Sequence, residues 1–234
     1  MKQVVTITFF RFLSLPDQVW AFRMMGLGKY ALQDVEGLTF CKLMGTGAKN
    51  GFSLMPDFTS YCLLCVWENQ TYSEAFMANS SMFNEYRTRS DELLTIWMQS
   101  FQVHGRWAGV QPFDCTNRYE ELPIAVLTRA TIRTNKLYSF WKQVPKVSQS
   151  IVNCEGQLFA KGIGELPFVQ QATFSLWQDE ASMKLYAYHN KAHREVIQKK
   201  VQGNWYKEEL FVRLQPIAVE GGIFGVNPLQ KYFE

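Results

Sequence analysis

Residues 105–113 read GRWAGVQPF, and residues 221–229 read GGIFGVNPL. Laid over each other without gaps, they share Gly105/Gly221, Gly109/Gly225, Val110/Val226 and Pro112/Pro228, all 116 residues apart. A phrase repeated at half the length of a 234-residue chain points to two copies of one unit, and the rest of the chain keeps the period. Arg11 and Arg129 each close an apolar run, VVTITFFR and IAVLTR, at a separation of 118, where VWAF (19–22) also falls on LYSF (137–140). Phe40-Cys41-Lys42 meets Phe159-Ala160-Lys161, and Gly45 meets Gly164, at 119. CVW ending at Trp67 meets FSLW ending at Trp177 at 110. The fall from 119 to 110 is an excess of nine residues in the first copy, within GTGAKNGFSLMPDF (45–58). Such a Gly-rich, polar stretch lengthens a hairpin loop at small entropic cost.

Each copy has one element order. A β-rich run (4–12; 124–132) precedes a helical pattern (16–31; 136–150) and two strand patterns (38–45 and 59–67; 157–164 and 168–177). A second helical pattern (70–88; 179–200) and a last strand (93–103; 208–219) lead into the Gly-Pro tail. This is βαββαβ, the ferredoxin-like unit, over residues 1–113 and again over 114–234. Such a sheet has helices on one face only, so its other face needs cover. The expectation is an α+β protein in which two tandem ferredoxin-like repeats cover each other as a pseudo-dimeric, eight-stranded α+β barrel. A cavity between the two sheets would be the natural ligand site.

Composition agrees with a packed enzyme or binding protein. The chain is 47% hydrophobic and 15% aromatic, which excludes disorder. Its net charge of +3 comes from 24 basic and 21 acidic residues mixed along the sequence, without the basic run that tracks nucleic acid. The start, MKQVVTITFFRF, alternates like a strand and lacks the longer apolar region of a secretory leader. No stretch reaches the roughly 18 uncharged apolar residues of a membrane helix, so a soluble, cytoplasmic protein is expected. Five cysteines form no even disulfide framework, which suits a reducing compartment. The sequons at Asn69 and Asn79 are then chance matches.

Motif letters exclude more than they assign. Gly26-Leu-Gly28-Lys-Tyr-Ala31 spells a dinucleotide fingerprint, but it ends a helical run with no strand before it. Cys62-Leu-Leu-Cys65 lies on a strand, where residues three apart face opposite ways and cannot share one ion. There is no nucleophile elbow, HExxH, Walker loop or EF-hand loop. Of three histidines, His189 and His193 lie one turn apart on the apolar stripe of the last helical pattern, with Leu185, Tyr186, Val196 and Ile197. The matching positions of the first copy are Asn79 and Phe83. An imidazole there is a hydrogen-bonded core group, one of a metal-binding pair, or an axial ligand to haem iron, and residue types alone leave all three open. Arg11, Arg129, Lys42 and Lys161 recur in both copies and read as inherited structural charges, or as contacts to haem propionates or a polar ligand head at a cavity mouth.

The segments FFRFLSLPDQVWAFRMMGLGKYAL (9–32), TFCKLMGTG (39–47), LTRATIR (127–133), KGIGELPFVQQATFSLW (161–177), HREVI (193–197) and WYKEELFVRL (205–214) resemble the spheroidene monooxygenase family of carotenoid biosynthesis, in order and over almost the whole chain. The resemblance implies a haem b enzyme that uses O₂ to hydroxylate C2 of an acyclic, spheroidene-type carotenoid and can oxidise it to a ketone. It implies His193 as axial ligand of the haem iron, because the family's H-x-E-x-I segment falls on HREVI. His189 becomes the alternative ligand or a haem-edge contact, and Arg129 a candidate for a propionate. Trp205, Glu208, Glu209 and Arg213 lie in a matching segment without an assigned role, and the catalytic residues stay unknown. An electron-donor protein such as a ferredoxin, a long apolar substrate and peripheral contact with the inner membrane, without a span, are the implied partners. The other class is a non-catalytic haem- or lipid-binding α+β barrel.

Overall fold

The computed structural model describes residues 2–48, 55–116, 123–142, 154–189 and 203–233. The first strand, β1 (Val4–Arg11), leads to helix α1 (Leu15–Ala31). Ser14 starts that helix by accepting the Asp17 N–H at 3.2 Å, and Pro16 sits in the first turn, where its missing N–H costs nothing. The hairpin β2 (Leu38–Gly47) and β3 (Pro56–Trp67) follows. Two helices, α2 (Gln70–Asn79) and α3 (Ser81–Arg89), come before β4 (Glu92–Gly105). The sequence pattern reads 70–88 as one helix, and Ser80 divides it. Its backbone leaves helical geometry at ψ 122°, and its hydroxyl accepts the Phe83 N–H at 3.2 Å. A serine able to cap competes with continuation of the helix.

The second half repeats the order with β5 (Ile124–Ile132), a 3₁₀ turn (Thr134–Lys136) with α4 (Leu137–Trp141), β6 (Gln157–Leu166) and β7 (Gln170–Trp177). Then come α5 (Glu180–Lys184), a π turn (Leu185–His189), β8 (Tyr206–Gly222) and α6 (Gln230–Phe233). Most of the helical patterns expected over 136–150 and 179–200 lies outside the described residues.

The eight strands close into a barrel in the order β1-β3-β2-β6-β7-β5-β8-β4, every neighbouring pair antiparallel. Counted within each half, both sheets run 4-1-3-2. The halves meet along two seams. In one, β4 pairs with β8 from Leu93–Gly222 to Gly105–Leu210, with Gln99 opposite Gln215 at the centre. In the other, Gly45 lies opposite Gly164. Each central pair joins a residue to its own counterpart, as halves related by a two-fold axis must.

The ladders correct one match. Val4 lies opposite Trp67 and Ile124 opposite Trp177, while Phe9 lies opposite Leu94 and Arg129 opposite Leu210. Both ladders therefore place β5 120 residues after β1, not 118. The counterpart of Arg129 is Phe9, and that of Arg11 is Thr131. A slip of two residues leaves every side chain on its own face, so the alternation of apolar and polar residues cannot detect it.

The repeated tail phrase forms one tight turn in each half. Trp107 pairs with Val110 and Ile223 with Val226. The intervening Ala108 and Gly109, like Phe224 and Gly225, all have positive φ, the geometry of a type I′ turn. Gly105 and Gly221 sit where the chain leaves the β4–β8 seam, at φ 93° and 76°. A Cβ on either would lie 2.1 Å from a carbonyl oxygen of the facing strand, Glu209 or Leu93.

Inside the barrel, Val5, Ile7 and Phe9 meet Leu64, Ile96, Leu127, Phe174 and Val212 in one apolar cluster from both halves. Phe9 stands 5.3 Å from Phe159 and 5.9 Å from Phe174. The space between the sheets, expected to be a ligand cavity, is thus a packed core among the described residues. Cys62 points into this core and Cys65 to the outer layer, so the two thiols do face opposite ways. Gly28 serves helix–sheet packing, since a Cβ on it would lie 2.9 Å from Leu43.

Candidate cofactor site

With the register fixed, the outer faces of the two sheets can be compared position by position. On the first sheet Phe10, Leu43, Tyr61 and Leu63 stand under α1, α2 and α3. Phe83 meets Phe10 at 5.8 Å between ring centroids, and Tyr86 meets it at 4.8 Å. Phe10 and Phe83 are almost wholly buried in that layer. The counterparts on the second sheet are Ala130, Gly162, Gln171 and Thr173. Four large side chains are exchanged for smaller or more polar ones, and one of the replacements has no side chain at all.

The exchange lowers this face into a recess relative to the first sheet, in which Ala130 and Gly162 stay buried. Thr8 and Thr128 are counterparts of identical type at mid-strand. Thr8 is 1% exposed and shares a 3.1 Å hydrogen bond with Thr95, whereas Thr128 is exposed to solvent. Aromatic clusters stand at both ends of this recess. Toward the start of β5, Ile124, Val126 and Trp177 pack with Met183, and Tyr186 stacks on Trp177 at 5.3 Å. Toward its end, Ile132, Phe140, Trp141 and Trp205 pack together. About 20 Å of strand separates Val126 from Ile132 at the usual rise per residue. Arg213 replaces Trp97 on this face and pairs with Glu180 at 3.0 Å.

In sequence, both candidate histidines fall between Trp177 of one cluster and Trp205 of the other. Asp179 opens this segment as Asn69 opens α2, accepting the Ser182 N–H at 2.7 Å, with backbone angles within a few degrees of its counterpart's. The chain then widens into the π turn Leu185–His189, a form found disproportionately at functional sites. His189 ends that turn, at the position where Asn79 ends α2. His193 lies outside the described residues. The third histidine, His104, is exposed on β4.

The four basic residues lie at the two barrel ends, and of them only Lys42 and Lys161 are counterparts. Arg129 is 4% exposed, hydrogen-bonded to Glu208 and 3.8 Å from Glu165. Glu165 also accepts from Lys42 and from the Trp107 indole, each at 2.7 Å. Glu208 in turn accepts the N–H groups of Ala108 at 2.9 Å and Gly109 at 2.7 Å, so it clamps the first tail turn onto the second half. Burial pushes the Glu208 carboxyl up, but those two N–H groups and the Arg129 guanidinium outweigh it and hold it below the ordinary range. At the other end, Arg11 pairs with Glu92 at 3.1 Å and Glu92 accepts the Phe224 N–H. Lys161 pairs with Asp57 at 3.0 Å and lies 4.6 Å from the centre of the Phe224 ring. Each half therefore closes one end of the barrel with its own tail. Arg129 stands on the core side of β5, across the strand from the recess, and Trp205 is part of the recess's aromatic rim.

No family model matches the chain. Three curated relatives do, each a spheroidene monooxygenase. The protein of Cereibacter sphaeroides is 33% identical over 97% of this chain and 71% of its own length. That of Rhodobacter capsulatus is 30% identical over 97% and 95%, and that of Rubrivivax gelatinosus 31% over 89% and 82%. Among solved structures, an aldoxime dehydratase superposes with a TM-score of 0.61 over 92% of this chain and 82% of that one, at 9% identity. A second, in complex with butyraldoxime, also reaches 0.61, over 92% and 80% at 9% identity. These structures share the fold. The three relatives carry the assignment, and this chain, an oxygen-dependent oxidoreductase, belongs to the spheroidene monooxygenase family.

Proposed function

We propose that the protein uses O₂ to hydroxylate C2 of an acyclic, spheroidene-type carotenoid and to carry the product on to a ketone, with a single haem b held in the recess of the second half. The observation behind this reading is the exchange of Phe10, Leu43 and Leu63 for Ala130, Gly162 and Thr173, which removes large side chains from the outer face of one sheet only, as a flat apolar group would require. At the separation of 110 fixed by Trp67 and Trp177, Phe83, which packs on Phe10, corresponds to His193. A histidine in the sequence place of Phe83, with an alanine in the place of Phe10, suits an axial ligand, and His189, four residues earlier, is the alternative. Bound there, the haem would supply the oxidation chemistry. The protein's part is to exclude water with the aromatic rims, fix the iron ligand and present one terminal carbon of a long apolar substrate. A ferredoxin-type protein would supply electrons.

We also infer that the chain is a tandem ferredoxin-like duplication, 1–113 and 114–234, in which the second copy lost bulk and gained the histidine. Matched strand order, seams centred on counterparts, and the paired caps Asn69 and Asp179 support it.

The test is reconstitution with hemin followed by turnover with O₂, an electron donor and spheroidene. One haem per chain, loss of the Soret band in His193→Ala and a C2-oxygenated product are expected. Absence of stoichiometric haem binding by the wild type would overturn the cofactor reading. Haem without turnover on any acyclic carotenoid would leave a binding protein.

A further inference from the structure

Helix α1 is apolar on two sides. Its inner side, with Ala21 and Gly28, packs on the first sheet. On its outer side Leu15, Val19, Phe22 and Tyr30 fall within about 80° of one another at 100° per residue, and each is more than half exposed, Leu15 at 74%. The stripe continues onto the first half's longer hairpin, where Phe58 meets Phe22 at 6.0 Å and Met55 is 69% exposed. A large exposed apolar patch on one ridge marks an interaction surface.

The charges choose the partner. Arg23 and Lys29 are exposed and lie on opposite flanks of the stripe, with the Lys29 ammonium 5.0 Å from the centre of the Tyr30 ring. The helix's one acid, Asp17, points elsewhere and is held by Arg89 at 3.1 Å. An apolar ridge with aromatic residues and a cation on each flank is complementary to an anionic lipid surface, where the side chains enter the acyl boundary and the cations meet headgroups. No described helix is long and apolar enough to cross the bilayer, so the contact would be made in the interface.

We propose that the outer face of α1, with Phe58 and Met55, docks this protein on the surface of an anionic bilayer. The surface rests on the geometry above; its purpose, access to a substrate that dissolves only in lipid, rests on the proposed function. Co-sedimentation of the full chain with vesicles of phosphatidylcholine and phosphatidylglycerol, and with vesicles of phosphatidylcholine alone, tests it without haem or turnover. Wild type should bind the anionic vesicles more tightly. Val19→Glu/Phe22→Glu, at exposed positions checked for unchanged circular dichroism, should lose about tenfold or more of that binding. Arg23→Gln/Lys29→Gln should lose only the preference for anionic lipid. Failure of the wild type to bind either vesicle, or undiminished binding by the glutamate variant, would overturn the proposal. So would a glutamate variant that turns a wild-type dimer into a monomer, since the ridge would then belong to a second copy. Vesicle binding by a protein that takes up no haem would retain this surface and remove the function proposed above.

Discussion

The two halves share a sheet order and differ in what they lay over it. The first covers its sheet with rings, Phe83 and Tyr86 on Phe10, and leaves Thr8 buried. The second has Ala130 where Phe10 stands and leaves Thr128 open. Their barrel-facing sides join in one apolar cluster, apart from Arg129 at the place of Phe9, so the common core can be kept while one outer layer is free to change. The difference teaches that two sheets of one strand order can carry different outer layers: rings close the first, while the described strands of the second put small or polar side chains at the same positions.

Restoring the first half's bulk in the second should have the largest effect. Ala130→Phe/Thr173→Leu is expected to fill the recess and abolish hemin uptake, read from the Soret band, while the far-ultraviolet spectrum stays native. Full uptake by that variant would break the comparison. The converse change, Phe10→Ala, should cost about 3–5 kcal/mol in urea unfolding, as for other large buried rings, with hemin stoichiometry unchanged. Next come the paired glycines. Gly105→Ala and Gly221→Ala each force a Cβ into a strand carbonyl at positive φ, and each should cost about 2–4 kcal/mol. Equal costs would sharpen the two-fold relation, and a tolerated substitution at one site alone would blunt it.

The smallest expected effect separates the two barrel ends. Glu208→Gln leaves the buried Arg129 with only the more distant Glu165, and should cost about 2–3 kcal/mol. Glu92→Gln, whose partner Arg11 is 29% exposed, should cost less than about 1 kcal/mol. Because the folded Glu208 carboxyl is held below its ordinary value of 4.5, its contribution is complete above that value and is lost as pH falls through the lower, folded one. Acid unfolding of the wild type should therefore steepen below about pH 4.5, and Glu208→Gln should flatten that limb.

The eight-stranded α+β barrel and the two tight tail turns were legible, the turns because the tail glycines answer to backbone geometry that nothing else satisfies. The register of β1 against β5 was not, since a slip of two preserves every face, and the paired arginines Arg11 and Arg129 made the wrong alignment attractive. The helix break at Ser80 is visible only as a capping serine, a signal as common on helix surfaces. The recess was hidden for another reason. Ala130, Gly162 and Thr173 come from three strands, and their small size means something only after the ladders set them side by side. His189 and His193 stood out in sequence, but nothing local told a ligand from a core imidazole.

The long seam also has a consequence in time. β4, fourteen residues long, is the edge of the first sheet, and its partner β8 is the last strand of the barrel in the chain. At usual synthesis rates the edge waits roughly 5–25 seconds for that partner to be made. Through that interval the nascent first half presents a row of unpaired backbone donors and acceptors beside an apolar sheet face. Those are the conditions under which strands pair with the wrong chain. In a cell, the yield of active protein would therefore be governed by how well that edge is shielded during synthesis, and a slow stretch of translation between residues 106 and 205 would lower it without changing one contact of the finished barrel.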